Sequence, residues 1–195
     1  MKLLVVAGGY LLGSILPAVV FVRQRTGKTP WEMGDNPGSA GVWRLAGPGY
    51  GILTGVFDVV KGVLPVTIAS HLGVEGWWFA ASACAPVIGH NWSVFYGFQG
   101  GRGLATALGA LLSISWSEMA PACIAGILAS LITKWTPMLG VVAFPTGLVL
   151  MIRRGAERHK VVAAVSVMVV VVLRQLPWLV SKLLDKGSQR HTRDN

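Results

Sequence analysis

The chain contains 195 residues, of which 53% are hydrophobic and 13% are charged. The charged share is about half that of an average soluble domain, which excludes an ordinary soluble fold. The net charge of +9 fits cytoplasmic loops that contact anionic lipid headgroups. We expect no nucleic-acid partner, because no basic segment is interleaved with aromatic residues.

Apolar segments in chain order predict an all-α integral membrane protein of about seven transmembrane helices, with short or re-entrant segments and Gly-rich cytoplasmic loops. About 20 helical residues cross a hydrocarbon core of about 30 Å. We expect residues 1–182 to form a single membrane-embedded domain and residues 183–195 a basic cytoplasmic tail. The predicted segments are 3–22, 49–70, 77–96, 103–116, 118–133, 136–152 and 161–180.

The distribution of Lys and Arg predicts that the N-terminus lies outside and that most loops with positive charge lie inside. The first apolar segment is longer than the roughly 7–15 residues of a signal-peptide core, so we expect it to be retained. With this topology, one basic loop lies outside. Either a short segment near 103–133 does not cross the membrane fully, or this loop is an exception to the rule that positive loops lie inside. Its basic residues are Arg153, Arg154, Arg158 and Lys160.

The first polar cluster, GDNPGSAGVWRLAGPGYG at 34–51, is a predicted glycine-rich loop that leads into the second apolar segment. Backbone N–H groups at glycines such as Gly38 can form a nest for an anion, and Arg44 can hold a phosphate by two hydrogen bonds. Asn36 adds a hydrogen-bond donor. The alternative is an interfacial loop with a single snorkelling arginine.

The second cluster is an acid and a base inside the second apolar segment. Asp58 and Lys61 are three residues apart and therefore lie on one face of a helix. Ionisable groups at membrane depth are costly and usually pair or line a polar cavity. We expect an ion pair that also orders a site.

The third cluster, GHNWSVFYGFQGGRGLAT at 89–106, places QGGRG just before an apolar helix. The positive end of that helix and the N–H groups of Gly100, Gly101 and Gly103 suit an anion, with Arg102 beside them. His90 lies near the end of the third apolar segment, where it is either a hydrogen-bonded structural residue or a catalyst.

These motifs resemble the membrane-integral, acyl-phosphate-dependent glycerol-3-phosphate acyltransferases of bacteria, the PlsY family. The chain is similar to a GSGNxGATNxxR motif through Asn36, Gly38 and Arg44, and to a DxxKG element at 58–62. A third motif, approximately GHxFPxFxxFKGGKGxAT, is matched across 89–106. The resemblance covers about residues 8–110.

The resemblance implies transfer of a fatty acyl group from acyl phosphate to the 1-hydroxyl of sn-glycerol 3-phosphate, giving lysophosphatidic acid for phospholipid biosynthesis. It also implies that the reaction uses no acyl-CoA, no metal and no other cofactor. It further implies a multi-pass protein of the bacterial inner membrane whose active site faces the cytoplasm. The expected catalytic residues are His90, Asn36 and Arg102. The expected phosphate- or substrate-binding residues are Arg44, Lys61, Gly38, Gly100, Gly101, Gly103 and Asp58.

The chain departs from the family pattern at several positions. Gly34 takes the place of the motif serine, and Arg102 that of the lysine in GGKG. The C-terminal segment RQLPWLVSKLLDKG at 174–187 has no counterpart of the family's His and Asn. Two alternatives follow: a divergent or inactive relative that binds or acylates another phosphorylated substrate, and a small anion transporter. The absence of an inverted repeat weakens the second alternative.

The chemistry of an acyl phosphate requires little of the protein. The phosphate is a good leaving group, so orientation and charge stabilisation can supply most of the rate. The sequence contains no evident Ser/His/Asp triad. We therefore expect the proton of the attacking hydroxyl to pass to a substrate phosphate rather than to His90.

Overall fold

The computed structural model describes residues 1–191, with side chains as far as residue 177, and this part of the chain consists of nine α-helices and one short 3-10 turn. The basic segment predicted as a tail begins inside the last helix, and its residues 192–195 lie outside the described residues. The helices are α1 (Lys2–Ser14), α2 (Pro17–Thr26), α3 (Ser39–Ala46), α4 (Pro48–His71), α5 (Gly76–Asn91), α6 (Leu104–Ile114), α7 (Trp116–Thr133), α8 (Met138–Arg153) and α9 (Arg158–His191).

The all-helical membrane fold predicted from the sequence is confirmed. Within the described part of the chain, four segments are long and apolar enough to cross a membrane, namely α1 with α2, α4, α7 and the Arg158–Pro177 part of α9. Helices α6 and α8 are apolar but shorter. With 11 residues, α6 is only about 16 Å long, because the glycine-rich residues before Leu104 do not join the helix. The predicted number of seven is therefore approximate.

The first predicted segment is broken into two helices. Pro17 occupies the first turn of α2, and Ile15 and Leu16 leave the helical conformation. The break frees the carbonyl oxygen of Ile15, which accepts a hydrogen bond of 2.9 Å from Lys61 Nζ on α4. A local proline effect thus supplies a partner for a buried charge.

Glycines let neighbouring helices cross at backbone contact. A Cβ at Gly62 of α4 would fall on the carbonyl oxygen of Thr106, and one at Gly109 of α6 would fall on that of Val59. Helices α1 and α5 cross in the same way, through Gly13 and Gly89. Crossings this close require small residues, as in other membrane helix pairs.

The helices alternate in direction, so polar loops gather at two ends of the bundle. Arg154, at the end of α8, lies 3.5 Å from Glu118 Oε1 at the beginning of α7 and donates to the carbonyl oxygen of Ser117. Lys134 and Thr136 lie at the other end, where α4, α6 and α8 begin. The basic loop after α8 thus lies at the opposite end from the glycine-rich clusters.

Candidate active site

A polar cavity of about 500 Å³ opens at the end of the bundle where α4, α6 and α8 begin. Its walls come from the segment before α3, from α3 itself, and from the loops before α6 and α8. Seven of the residues singled out from the sequence line it: Asn36, Gly38, Arg44, Asp58, His90, Arg102 and Gly103. Lys61, Gly100 and Gly101 are not among the described residues that line it.

Arg44 is held by a carboxylate at the cavity wall. It lies on α3, which forms within the segment predicted as a loop, and its guanidinium donates to both carboxylate oxygens of Asp35 over 2.8–3.1 Å. The Arg44 side chain remains 61% exposed. The pairing fixes the planar donor group in one orientation while leaving part of it open to a second anion.

Arg102 and Lys134 bring further positive charge to the cavity. Arg102 lies in the loop before α6, where half-burial lowers the pKa of its guanidinium and the nearby Asp35 carboxylate opposes that shift. An arginine begins so far above neutral pH that it stays charged. Lys134 ends α7 in the left-handed conformation, with φ at 52°. Three cations therefore face a space that is also bordered by two carboxylates, Asp35 and Asp58.

The QGGRG loop is fixed by contacts to its backbone. Gly101 N–H donates to the carbonyl oxygen of His90 at 2.9 Å, and Arg174 of α9 donates to the carbonyl oxygens of Gly101 and Gly100 at 3.1 and 3.3 Å. A Cβ at Gly101 would fall on the His90 ring. The Gly101 N–H group is thus bonded to His90 rather than free to bind an anion. Position 101 must be a glycine because the loop passes so close to the His90 ring.

A buried charge cluster lies behind the cavity. Asp58 Oδ1 is 2.8 Å from Lys61 Nζ and 3.3 Å from His90 Nδ1, and all three residues are at most 4% exposed. The ion pair expected from the spacing of Asp58 and Lys61 is present. Asp58 also brings His90 of α5 next to α4, although His90 Nδ1 makes no hydrogen bond among the described residues, and so the second and third polar clusters of the sequence meet here.

Two residues that support the loop were missed by sequence reasoning. Arg174 also lies 5.3 Å from the centre of the Trp92 ring. Asn91 is fully buried under Gly103, and neither polar atom of its amide has a hydrogen-bond partner among the described residues. Both are polar residues within apolar segments, and that pattern could have indicated a functional role. For Asn91, attention went to the adjacent His90 instead.

An apolar slot of about 330 Å³ adjoins the polar cavity. Helices α6, α8 and α9 form it, and its walls include Val141, Phe144 and Val171. Four residues line both spaces: Leu104, Trp135, Pro137 and Gln175. The site can therefore hold an anionic group and a hydrocarbon chain next to each other. Among the described residues, no group of three or more His, Cys, Asp or Glu side chains is arranged to hold a metal ion.

Curated relatives and solved structures are similar to this chain. Glycerol-3-phosphate acyltransferases from Shigella flexneri and Salmonella newport are 45% and 44% identical over 108 residues, which is 55% of this chain. The match spans only about half (53%) of those relatives' length.

Two crystal structures of PlsY (YgiH), an integral membrane glycerol 3-phosphate acyltransferase, have the same fold. Its glycerol 3-phosphate form gives a TM-score of 0.80 at 26% identity, and its lysophosphatidic acid form gives 0.79 at 28%. Each comparison covers 95% of this chain and 92% of the other. The family model described as glycerol-3-phosphate acyltransferase matches residues 3–183. The chain therefore belongs to the glycerol-3-phosphate acyltransferase family.

Proposed function

We propose that this protein transfers a fatty acyl group from an acyl phosphate to the 1-hydroxyl of sn-glycerol 3-phosphate and releases lysophosphatidic acid and inorganic phosphate. The observation that carries the proposal is the junction of a cationic polar cavity with an apolar slot. The forms in which the PlsY structures were solved support the acceptor and the product.

Both proposed substrates fit the division between cavity and slot. Each substrate carries a phosphate, and Arg44, Arg102 and Lys134 offer the positive charge that two phosphates require. The acyl chain of the donor would lie in the slot, next to Phe144 and Val171. The carbonyl carbon of the donor would then lie beside the residues that line both the cavity and the slot.

The proposed reaction is a single displacement. The 1-hydroxyl oxygen of glycerol 3-phosphate attacks the carbonyl carbon of the acyl phosphate and forms the ester bond. The bond from that carbon to the phosphate oxygen breaks, and the phosphate leaves with the bonding electrons. The hydroxyl proton passes to a phosphate oxygen of a substrate. Positioning and charge stabilisation by the cations and by Asn36 would supply most of the rate.

His90 suits a positioning role better than that of a proton acceptor. Its Nδ1 faces Asp58, its ring lies under Gly101, and it is only 2% exposed. We propose that His90 holds the loop carrying Arg102 at the correct depth. If His90→Ala abolished turnover while both substrates still bound with unchanged affinity, the proton would have to pass through His90 instead.

We also propose that the cavity faces the cytoplasm of a bacterial cell, across the inner membrane. Basic residues gather at this end, as Lys and Arg do in cytoplasmic loops, and include Arg23, Arg25 and Lys28 after the first membrane segment. Labelling of single introduced cysteines from either side of sealed vesicles would test this orientation. Labelling at Thr136 only from outside inverted vesicles is the expected result.

The activity is tested with purified protein in detergent, palmitoyl phosphate and labelled glycerol 3-phosphate. We expect lysophosphatidic acid from the native chain and an approximately 10- to 100-fold lower kcat/KM for Arg102→Ala, since a hydrogen bond to a charged group contributes about 1.5–3 kcal/mol. Arg44→Ala should lose less, because Arg44 is more exposed and already shares its charge with Asp35.

A matched control is Arg154→Ala, which removes an arginine that is also about half exposed but lies at the opposite end of the bundle. Its kinetics should equal those of the native chain. If folded native protein bound both substrates and made no product, the chain would be a relative without this activity. Movement of glycerol 3-phosphate into liposomes without an acyl donor would instead favour a transporter.

A further inference from the structure

The junction between the polar cavity and the apolar slot has a single flexible hydrogen-bonding side chain within the described residues. Four residues line both spaces. Leu104 and Pro137 have no polar side-chain atom, and the indole of Trp135 is a rigid donor. Gln175 is the fourth, and its amide both donates and accepts. The junction thus offers one adaptable polar group to whatever lies across it.

The side-chain oxygen of Gln175 is buried, although the residue as a whole is only partly buried. Its Oε1 atom is shielded from solvent and contacts no hydrogen-bonding group among the described residues. A buried polar atom of this kind is rare because it forfeits the bond it made to water. Rotation of the amide by half a turn exchanges its oxygen and its N–H2 group, so either can face a ligand.

The residue before Gln175 is tied to the QGGRG loop. Arg174 donates to the carbonyl oxygens of Gly100 and Gly101, which ties this turn of α9 to the loop that carries Arg102. Gln175 therefore follows directly after a residue that is bonded to this loop, and it lines the same cavity as Arg102. An amide near the phosphate-binding group and at the entrance of a hydrocarbon slot lies where a carbonyl between phosphate and chain would lie.

We propose that Gln175 is a binding residue for the acyl phosphate and donates a hydrogen bond from Nε2 to its carbonyl oxygen. This inference rests on the proposed function. In an acyl phosphate, the carbonyl is the one group that joins the phosphate to the chain. Negative charge builds on this oxygen as the hydroxyl attacks, so the hydrogen bond strengthens in the transition state and returns to its initial strength when the phosphate leaves.

The test compares Gln175→Met with the native chain, using palmitoyl phosphate and butyryl phosphate as donors. Met has a similar length and no hydrogen-bond donor of this kind. We expect kcat/KM for the donor to fall at least about tenfold with both chain lengths. The KM for glycerol 3-phosphate should stay within about twofold. A merely structural role in the slot would affect the long chain alone.

Two further variants keep the test decisive. Gln175→Glu preserves the shape and places a negative charge beside the donor phosphate, so its loss should exceed that of Gln175→Met. Gln24→Met makes the same substitution at an exposed glutamine of α2 that lines neither space, so it should have little effect. Melting temperatures in detergent establish that each variant is folded.

Each outcome decides a separate question. An active native chain with unchanged Gln175→Met kinetics overturns the role of Gln175 and leaves the proposed function intact. A loss confined to palmitoyl phosphate, or an equal loss in Gln24→Met, also overturns it. A native chain without acyl transfer overturns the proposed function and, with it, this inference. Losses shared by both donors and greatest in Gln175→Glu support the hydrogen bond.

Discussion

Helices α4, α5 and α6 are joined to their neighbours differently from α7 and α8. On the first side, backbones touch at glycines such as Gly62 and Gly109, and a charge cluster is buried between helices. On the second side, α7 packs chiefly against α8 and makes few contacts with α6. Within this hairpin, a Cβ at Gly126 of α7 would fall on the carbonyl oxygen of Leu139. Towards α6, however, Gly140 of α8 faces the flexible end of the Leu104 side chain. The polar groups thus lie on a rigid frame formed by α4, α5 and α6, and the slot lies beside the α7–α8 hairpin, whose Gly140 meets α6 through a side chain.

The largest effect should come from breaking the buried charge pair of the rigid side. Asp58→Asn leaves Lys61 charged and buried without its counterion, which should lower the free energy of unfolding by about 3–5 kcal/mol. Thermal unfolding in detergent measures the loss. The double variant Asp58→Asn/Lys61→Met should recover most of it, because no uncompensated charge remains.

The ion pair between Glu118 and Arg154, on the α7–α8 hairpin, provides the control. Arg154→Gln removes the exposed partner of the ion pair with Glu118, whose carboxylate keeps its bonds from Ser115 and Ser117, and should cost about 1 kcal/mol or less. Equal losses from Asp58→Asn and Arg154→Gln would mean that the two sides do not differ in this way.

A single methyl group should distinguish the two kinds of helix contact. Gly62→Ala pushes a Cβ into the Thr106 carbonyl, which is backbone and cannot turn aside, so we expect a loss of about 1–3 kcal/mol. Gly140→Ala meets a side chain that can adopt another rotamer and should be nearly neutral. Unfolding midpoints of both variants measure the contrast, and a Gly140→Ala loss as large as that of Gly62→Ala would contradict it.

Arg174 should extend the rigid frame to α9. Arg174→Gln removes the charged donor to the Gly100 and Gly101 carbonyl oxygens, so the loop carrying Arg102 should loosen. We expect the KM for glycerol 3-phosphate to rise about tenfold, in line with the loss of a hydrogen bond from a charged group. Arg174→Lys should recover part of the affinity, and failure to do so would indicate a role outside the loop.

The smallest effect should come from filling the slot on the hairpin side. Val141→Trp narrows the slot and should raise the KM for palmitoyl phosphate about fivefold, which corresponds to roughly 1 kcal/mol of lost apolar contact. Butyryl phosphate should react as before, because its chain is too short to reach far into the slot. Val149→Trp, at an exposed position of α8 outside the slot, is the control. Equal effects with both donors would place the chain elsewhere.

The sequence was sufficient to predict features that depend on the spacing of residues along one helix. The interval between Asp58 and Lys61 predicted their pair, because three residues bring side chains to one helix face. It did not reach contacts between segments far apart in the chain, such as the bonds from Arg174 to the QGGRG loop. Nor did it explain Gly101, whose lack of a side chain makes room for the His90 ring. Local patterns carry no information about which distant group will be adjacent.

The helix predicted least well, α3, shows the same limit. Glycines in the segment 34–51 suggested a loop, yet Ser39–Ala46 is helical and presents Arg44 to Asp35. Helix propensity is a weak guide here, because packing of Val42 into a buried contact with α2 outweighs it.

The outer rim of the slot has a consequence for how the molecules would depart. Val141 and Val172 line the slot, yet both are more than half exposed at the outer surface of the bundle. Of the two products of the proposed reaction, one is an amphiphile and the other a small hydrophilic ion. The first can partition sideways between α8 and α9 into the bilayer, while the second diffuses into water through the polar opening. With two separate exits, each product would leave into the medium in which it is soluble, the amphiphile into the bilayer and the ion into water.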